Sequence, residues 1–481
     1  MSKMINFVGR NEEIKSLRKY DASEKSEFVA VYGRRRVGKT YLLQYAFHGQ
    51  FDFEYTGLYH VGAKEQRKRF QDILNLASGK QEATPEDWFS AFDRLKQYLL
   101  AQQKEKVTVF LDELPWMDTQ KSNFMAALSG FWNGWKSHEC ILKLYVCGSA
   151  TTWMLDKLIG DRGGLHGRIT RSIYLAPFTL RETEEYLNQV KHMHYGQRQV
   201  LETYMVFGGI PYYLDMLDRE YPLSENVDRL FFFPNAPLKT EYDFLFRSLY
   251  KSPLNYQKVI EALASTLRGM TREEISDASG IDGGELTQVL KNLEACDFIR
   301  SYLFPKKTTR AKTYQLIDMF CLFSLRFVQQ QKNSDIHFWT KSARSGYRNA
   351  WAGYAFEQTC LSHVQQIKEK LGISGILSGV YAWSSRAFTD KDGNEWKGGQ
   401  IDLVIDRNDH VINLCEMKYS QTEYAIDGDY AEKIQNRMEL FRKVQRTKKE
   451  LHCTFVTLYG VKNNNYIDIV NEQVKMEDLF G

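Results

Sequence analysis

Proline is scarce in this chain, nine in 481 residues, and nothing in it is repetitive. With 43% hydrophobic and 26% charged residues, that scarcity excludes a disordered or collagen-like chain and predicts order nearly throughout. Cysteine is sparse too: Cys140, Cys147, Cys296, Cys321, Cys360, Cys415 and Cys453 form no CxxC pair, and most lie in apolar runs. A disulfide framework is therefore excluded, and reduced core thiols are preferred over a zinc site. No apolar run approaches about 18 residues and none follows Met1–Asn6, so neither a membrane span nor a secretory signal is expected, and the expected location is cytoplasmic. Charge of one sign is not in excess either. The balance of 64 basic against 60 acidic residues gives +4, too little to establish a nucleic-acid partner without local patches. No Gly/Ser/Pro-rich linker divides a length about three times that of a typical domain, so domain edges rest on changes of pattern.

Residues 28–32, Phe-Val-Ala-Val-Tyr, read as a buried strand running into Gly33, and residues 40–47 as a helix. Further β-branched runs at 107–111 and 141–147 complete the pattern of a parallel α/β sheet. From about Glu182 the periodicity turns helical, with short amphipathic helices up to about residue 330. After Ser342 a helix-like stretch, 354–369, is followed by strands at 400–406 and 411–418, a charged helix at about 429–444 and a strand at 453–458. This predicts three parts: 1–235, 236–330 and 331–481.

Gly33-Arg34-Arg35-Arg36-Val37-Gly38-Lys39-Thr40 satisfies G-x-x-x-x-G-K-[ST] at every fixed position, between a predicted strand and a predicted helix. Such a P-loop wraps backbone N–H groups around the phosphates of ATP; Lys39 reaches the β/γ-phosphates and the Thr40 hydroxyl ligates Mg²⁺. The expected nucleotide-binding residues are those of the loop and the adjoining Tyr41. A second acid at the metal is expected from another strand end, and residues 107–113, Val-Thr-Val-Phe-Leu-Asp-Glu, supply it. Asp112 would hold Mg²⁺ through water, and Glu113 would polarise the attacking water. Taken alone, Asp112 also reads as a helix N-cap before Pro115.

These motifs resemble the AAA+/STAND-like P-loop ATPases, and more closely the archaeal-type ATPase family. Phe7-Val8-Gly9-Arg10-Asn11-Glu12-Glu13 resembles the family's FxGRxxE segment, which the resemblance places against the base. Gly208-Gly209-Ile210-Pro211-Tyr212-Tyr213-Leu214 is similar to its GGxPxYL motif, which implies Pro211 near the adenine. Ser149, ending Tyr145-Val146-Cys147-Gly148-Ser149, corresponds to sensor 1. Among Arg162, Arg168 and Arg171, the GR step at Arg168 resembles that of an arginine finger acting from a neighbouring subunit, implying a possible homo-oligomer; a solvated loop arginine is the alternative.

Residues 270–276 and 279–293 read helix, turn, helix, the second with an apolar stripe at Leu286, Val289, Leu290 and Leu293. Two strand-like stretches follow, with Lys306, Lys307, Arg310 and Lys312 at their tip. The arrangement resembles a winged helix, which would bring DNA to the basic wing. Asp282, Glu285 and Glu294 suit a groove poorly, so a purely protein-facing lid stays open.

In the last part, two-residue periodicity sends Glu416 and Lys418 to one face, and Asp402 lies on the neighbouring strand. Two carboxylates and a lysine suit Mg²⁺-assisted phosphodiester hydrolysis: Asp402 and Glu416 as metal ligands, Lys418 steering water and phosphate charge. Asp402 with Glu416-Met417-Lys418 resembles the PD-(D/E)XK nuclease superfamily, and the resemblance implies a restriction-endonuclease-like α/β fold with Glu357 as an extra acid. The helix with Lys433, Arg437, Arg442, Lys443, Arg446, Lys448 and Lys449 reads either as a phosphate-contacting face or as a solvated one. The leading expectation is an ATPase coupled to DNA and to metal-dependent cleavage; the rival is a non-cutting, ATP-controlled regulator. A metabolic kinase is a distant third.

Overall fold

The computed structural model describes residues 7–135, 139–160, 164–165, 167–250, 252–266, 269–303, 312–330, 335–391 and 393–481. Arg162 and the expected wing-tip residues Lys306, Lys307 and Arg310 lie outside them. The chain forms two compact units. One runs through Pro177 and adds Ile210–Tyr212 and Leu290–Asp297; the other comprises Phe178–Gly209, Tyr213–Val289 and Phe298–Gly481.

The first unit is built on five parallel strands: β1 (Glu27–Tyr32), β2 (Phe53–Thr56), β3 (Lys106–Asp112), β4 (Ile141–Gly148) and β5 (Arg171–Tyr174), in the order β2-β3-β4-β1-β5. The central strands are apolar on both faces because helices cover both: Phe28, Val29, Ala30 and Val31 are fully buried. Phe28, Val29 and Val31 each contribute about 1.5–3 kcal/mol on leaving water, and the Ala30 methyl less. The helices Trp88–Ala101 and Phe124–Trp135 bring Trp88, Phe92, Phe131 and Trp132 into the same core as Phe28 and Leu144. The strand order sets β4 between β1 and β3, so the ends of all three converge at one edge.

In the second unit, β6 (Met270–Thr271), β7 (Ile299–Leu303) and β8 (Lys312–Leu316) form an antiparallel sheet ordered β6-β8-β7. The helix expected from 270 begins at Arg272, because Thr271 is its N-cap in a reciprocal pair with Glu274. The second helix of the pair is Gly283–Ala295. Past it come β9 (Ser378–Ser385), a hairpin of β10 (Phe388–Thr389) and β11 (Glu395–Trp396), then β12 (Gly399–Arg407), β13 (Val411–Lys418), β14 (Glu450–Thr457) and β15 (Glu472–Lys475). The large sheet is mixed, ordered β15-β14-β13-β12-β9, antiparallel across β9, β12 and β13 and parallel from β13 to β15. The parallel step from β13 to β14 requires a crossover, supplied by the helix Gly428–Gln445. Asp427 caps that helix through the Tyr430 N–H at 2.8 Å, and Leu440 and Phe441 pack it against Trp383, Ile401 and Val404.

The single helix expected over 354–369 is two, Gly346–Ser362 and Val364–Lys370. His363 breaks it: its Nδ1 bonds the Thr359 carbonyl at 2.8 Å while its Nε2 accepts the Leu180 N–H at 2.9 Å. All seven thiols are free, six of them buried and Cys140 half-buried. Among the described residues, no helix is long and apolar enough to cross a membrane.

Candidate functional site

The end of β1 turns sharply into the phosphate loop at Gly33, whose φ is 147° and whose Cβ, were there one, would stand 2.3 Å from the Leu175 carbonyl oxygen. Only glycine passes there. Gly38, at φ 90°, has nothing within 4 Å of its Cβ position, so the loop keeps an open cradle in front of the helix Lys39–Ala46. Arg34 and Val37 are buried, and Arg35 and Arg36 half-buried. Lys39 is buried, with its ammonium bonded to the carbonyls of Gly33 (3.0 Å) and Arg34 (2.9 Å) inside the loop. The Thr40 hydroxyl donates to Asp112 Oδ2 at 2.9 Å. That hydroxyl and carboxylate are the hard oxygen donors Mg²⁺ takes, so these residues fit the metal expected with ATP.

Asp112 ends β3 and also accepts the Glu113 N–H at 2.9 Å and the Cys147 thiol. Burial, first of all, and then the charge of Asp112 hold Cys147 protonated. Glu113 stands in the left-handed region, φ 48°, and its Oε2 accepts both the N–H (3.0 Å) and hydroxyl (2.8 Å) of Ser149. The end of β4 therefore orients both acids, Asp112 through Cys147 and Glu113 through Ser149. Ser149 was anticipated from sequence; Cys147 looked like one more core residue, and nothing in a lone buried thiol signals otherwise.

On the far side of the loop, Phe7 stacks on Tyr45 (centroids 4.2 Å apart) and on Tyr41 (5.7 Å). Arg10 donates to the Ala176 carbonyl at 2.6 Å. Pro211 begins the helix Pro211–Asp215, and the adjacent Tyr212 lies under the Arg36 guanidinium at 4.1 Å. Arg168 stands apart from this assembly. Two residues beyond it, Thr170 bonds Phe28, at the opposite end of β1 from the loop and about 16 Å along the strand. Arg168 is thus remote from the phosphate loop of its own chain.

In the second unit, β12 pairs with β13 so that Leu403 faces Cys415; one step on, the register sets Asp402 opposite Glu416 on one face. The pairing of β12 with β9 is irregular between Ile401 and Val404, a bulge that falls at Asp402. Asp402 Oδ2 accepts the Met417 N–H at 3.2 Å. Glu416 is buried: Arg437 donates to its Oε1 at 2.5 Å, Tyr430 to its Oε2 at 2.7 Å, and Lys418 Nζ lies 3.4 Å from Oε2. Glu357 faces the same group from the helix Gly346–Ser362. Burial raises its pKa well above the usual carboxylate range and Asp402 adds to the rise, while Arg300 and Lys418 oppose it. Asp402 is raised as well, by burial and then by Glu416. Arg300, on β7, bonds Gln358 and, at 3.1 Å, Gln315.

Several basic residues of the helix Gly428–Gln445 and its trailing loop are engaged within the fold: Arg437 on Glu416, Lys443 on Asp390 (3.0 Å) and Lys449 on Asp406 (2.6 Å). Lys433, Arg442, Arg446 and Lys448 remain exposed. The described residues hold no group of three or more His, Cys, Asp or Glu side chains placed to bind a metal ion. Asp402 and Glu416 can offer a cation two carboxylates of the cluster, once Glu416 exchanges its present partners.

Residues 7–217 match the family described as an ATPase domain predominantly from Archaea, and so carry an archaeal-type ATPase domain. An uncharacterized protein of Methanocaldococcus jannaschii is 25% identical over 421 residues, 86% of this chain and 87% of that one. The Walker-type ATPase of Pyrococcus abyssi is similar at 18% identity and a TM-score of 0.48, over 66% of this chain and 96% of that one. The ORC2 protein of Aeropyrum pernix in its ADP form follows at 14% identity and a TM-score of 0.37, over 70% and 95%.

Proposed function

We propose that the chain hydrolyses ATP with Mg²⁺ through Lys39, Thr40, Asp112 and Glu113, and that it couples this turnover to DNA, which the carboxylate group at Asp402 and Glu416 cleaves. The single observation carrying the ATPase is the bond between the Thr40 hydroxyl and Asp112, with Glu113 next in the chain. Lys39 binds the terminal phosphates, Glu113 takes the proton of the attacking water, and Ser149 orients Glu113. Mg²⁺, when bound, neutralises phosphate charge. Tyr41 and Pro211, with Phe7 and Tyr212 beside them, border the base. Arg168, remote from its own loop, serves a neighbouring copy.

The chain is read as three parts: the ATPase with its helical lid (1–235), a winged helix (236–330) and a nuclease-like domain (331–481). The helix pair Arg272–Ser279 and Gly283–Ala295 followed by an antiparallel sheet supports the second. Asp402 opposite Glu416 on a mixed sheet, with Lys418 and Glu357 turned to the same group, supports the third. There Lys418 steers the water and steadies phosphate charge, and Glu357 serves as an auxiliary acid. One observation favours the rival reading, a non-cutting regulator: both oxygens of Glu416 are already bonded within the protein.

Incubating the full chain with labelled single-stranded, duplex and branched DNA, ATP and either Mg²⁺ or Mn²⁺ decides between them. Cleavage that disappears in Asp402→Ala and in Lys418→Ala, the latter keeping metal affinity, supports the nuclease. No cleavage of any substrate with either metal assigns the domain to binding.

A further inference from the structure

Asp297 stands against two local preferences. It follows the helix Gly283–Ala295 where the backbone turns left-handed, φ 56°, a place that glycine fills most cheaply. It also brings a negative charge to the negative end of a helix. Burial raises its pKa to about 6 and the charge of Arg34 draws it back down, so the carboxylate is ionised at neutral pH. A residue that local structure does not favour is one whose reason lies in what it touches.

What it touches is the surround of the phosphate loop. The segment Leu290–Asp297 is part of the first unit, with the parallel sheet. Tyr174, the last residue of β5, donates its hydroxyl to Asp297 Oδ2. In the strand register Tyr174 lies opposite Tyr32, the last residue of β1, and the two rings are 5.4 Å apart. The next residue, Leu175, donates its N–H to the Tyr32 carbonyl at 2.8 Å, and its own carbonyl is the one that leaves no room for a side chain at Gly33. A carboxylate that fixes Tyr174 thereby fixes the wall against which the loop turns. Arg34, next in the loop, is buried, and its charge acts on the same carboxylate. The other tie from this segment differs in kind: Lys291 Nζ reaches both oxygens of Asp156, at 2.8 and 2.9 Å, but the pair is exposed and contributes little.

We propose that Asp297 is a positioning residue for ATP binding, supplied by the middle part of the chain from beyond the ATPase domain of residues 7–217: it holds Tyr174, balances Arg34 and so keeps the phosphate loop in its binding shape. The proposal rests on the ATP-binding reading of that loop. Because Asp297 bears on the loop and not on Glu113, its loss costs affinity rather than the chemical step.

The test titrates the full chain with a fluorescent ATP analogue and follows steady-state hydrolysis. Asp297→Gly removes the carboxylate without straining the left-handed turn. It should bind the analogue about tenfold more weakly and raise KM for ATP about as much, with kcat at saturating ATP within about twofold of wild type. Asp297→Asn, which keeps the shape and an acceptor for Tyr174 but not the charge, should fall between. Tyr174→Phe should lose part of the affinity, and Asp297→Gly added to it should cost clearly less than in wild type. Lys291→Ala, which breaks the exposed pair on the same helix, should bind as wild type does. Unchanged affinity in Asp297→Gly overturns the proposal, as do full additivity with Tyr174→Phe, a fall in kcat with KM unchanged, or an equal loss in Lys291→Ala, which would assign the effect to docking of the helix. The two readings fail distinguishably: a wild type that binds no analogue removes the ATP reading and the proposal together, whereas wild-type binding that is undiminished in Asp297→Gly removes the proposal alone.

Discussion

Glu113 is bonded twice by Ser149 and follows an aspartate that bonds Thr40, so its carboxylate is set by its neighbours rather than by its own rotamer. Glu113→Gln keeps the shape and loses the base: ATP binding should survive while steady-state turnover falls by a factor of about 10² or more. Wild-type turnover in that variant would remove Glu113 from the mechanism. His363 is neutral because burial depresses its pKa from 6.5 to about 4, against the opposing effect of the Thr359 carbonyl. An unfolded chain takes up that proton first. The contribution is whole above pH 6.5 and is lost as the pH falls towards 4, about 3 kcal/mol in all. Urea unfolding between pH 7.5 and 5 should show this loss in the wild type and a flatter dependence in His363→Gln; equal slopes would contradict it. At this scale the phosphate loop, Asp112, Glu113 and the Asp402–Glu416–Lys418 group were legible, because each motif has fixed spacing. Tyr430, Arg437, Arg300 and Cys147 were not: what brings each to its acid is tertiary packing, which leaves no mark on spacing.

Among the elements, the loop between β1 and the helix Lys39–Ala46 depends most on one residue. Gly33→Ala would press a Cβ to 2.3 Å from the Leu175 carbonyl at a φ of 147°, so the loop must shift away from β5. ATP affinity, read by titration of a fluorescent analogue, should drop at least tenfold with the fold retained; undiminished affinity would show that the cradle tolerates a different path. The strands β1, β3 and β4 were legible because parallel strands buried on both faces are continuous apolar runs. β2 and β5 were missed for the complementary reason: they are four-residue edge strands, and β5, with Arg171 and Ser172 exposed, offers one buried side chain, Ile173. β9, Ser-Gly-Val-Tyr-Ala-Trp-Ser-Ser, hides a strand behind small and polar residues, with only Tyr381 and Trp383 buried. The break at His363 was also invisible, since it depends on a bond to Leu180, 183 residues away.

For the whole molecule, the position of Arg168 far from its own phosphate loop makes oligomerisation testable by complementation. A mixture of Arg168→Ala and Lys39→Ala chains should recover part of the ATPase activity that each lacks. A mixture that stays inactive, with wild type monomeric under ATP, would refute action across subunits. The proposed coupling has a direct readout: an ATPase serving DNA should hydrolyse faster, or with a lower KM for ATP, when DNA is present. The steady-state rate of ATP hydrolysis by the full chain with Mg²⁺, measured with and without DNA and repeated with Glu113→Gln, tests this most directly. The account predicts DNA-dependent hydrolysis that Glu113→Gln abolishes; hydrolysis identical with and without every form of DNA would contradict it.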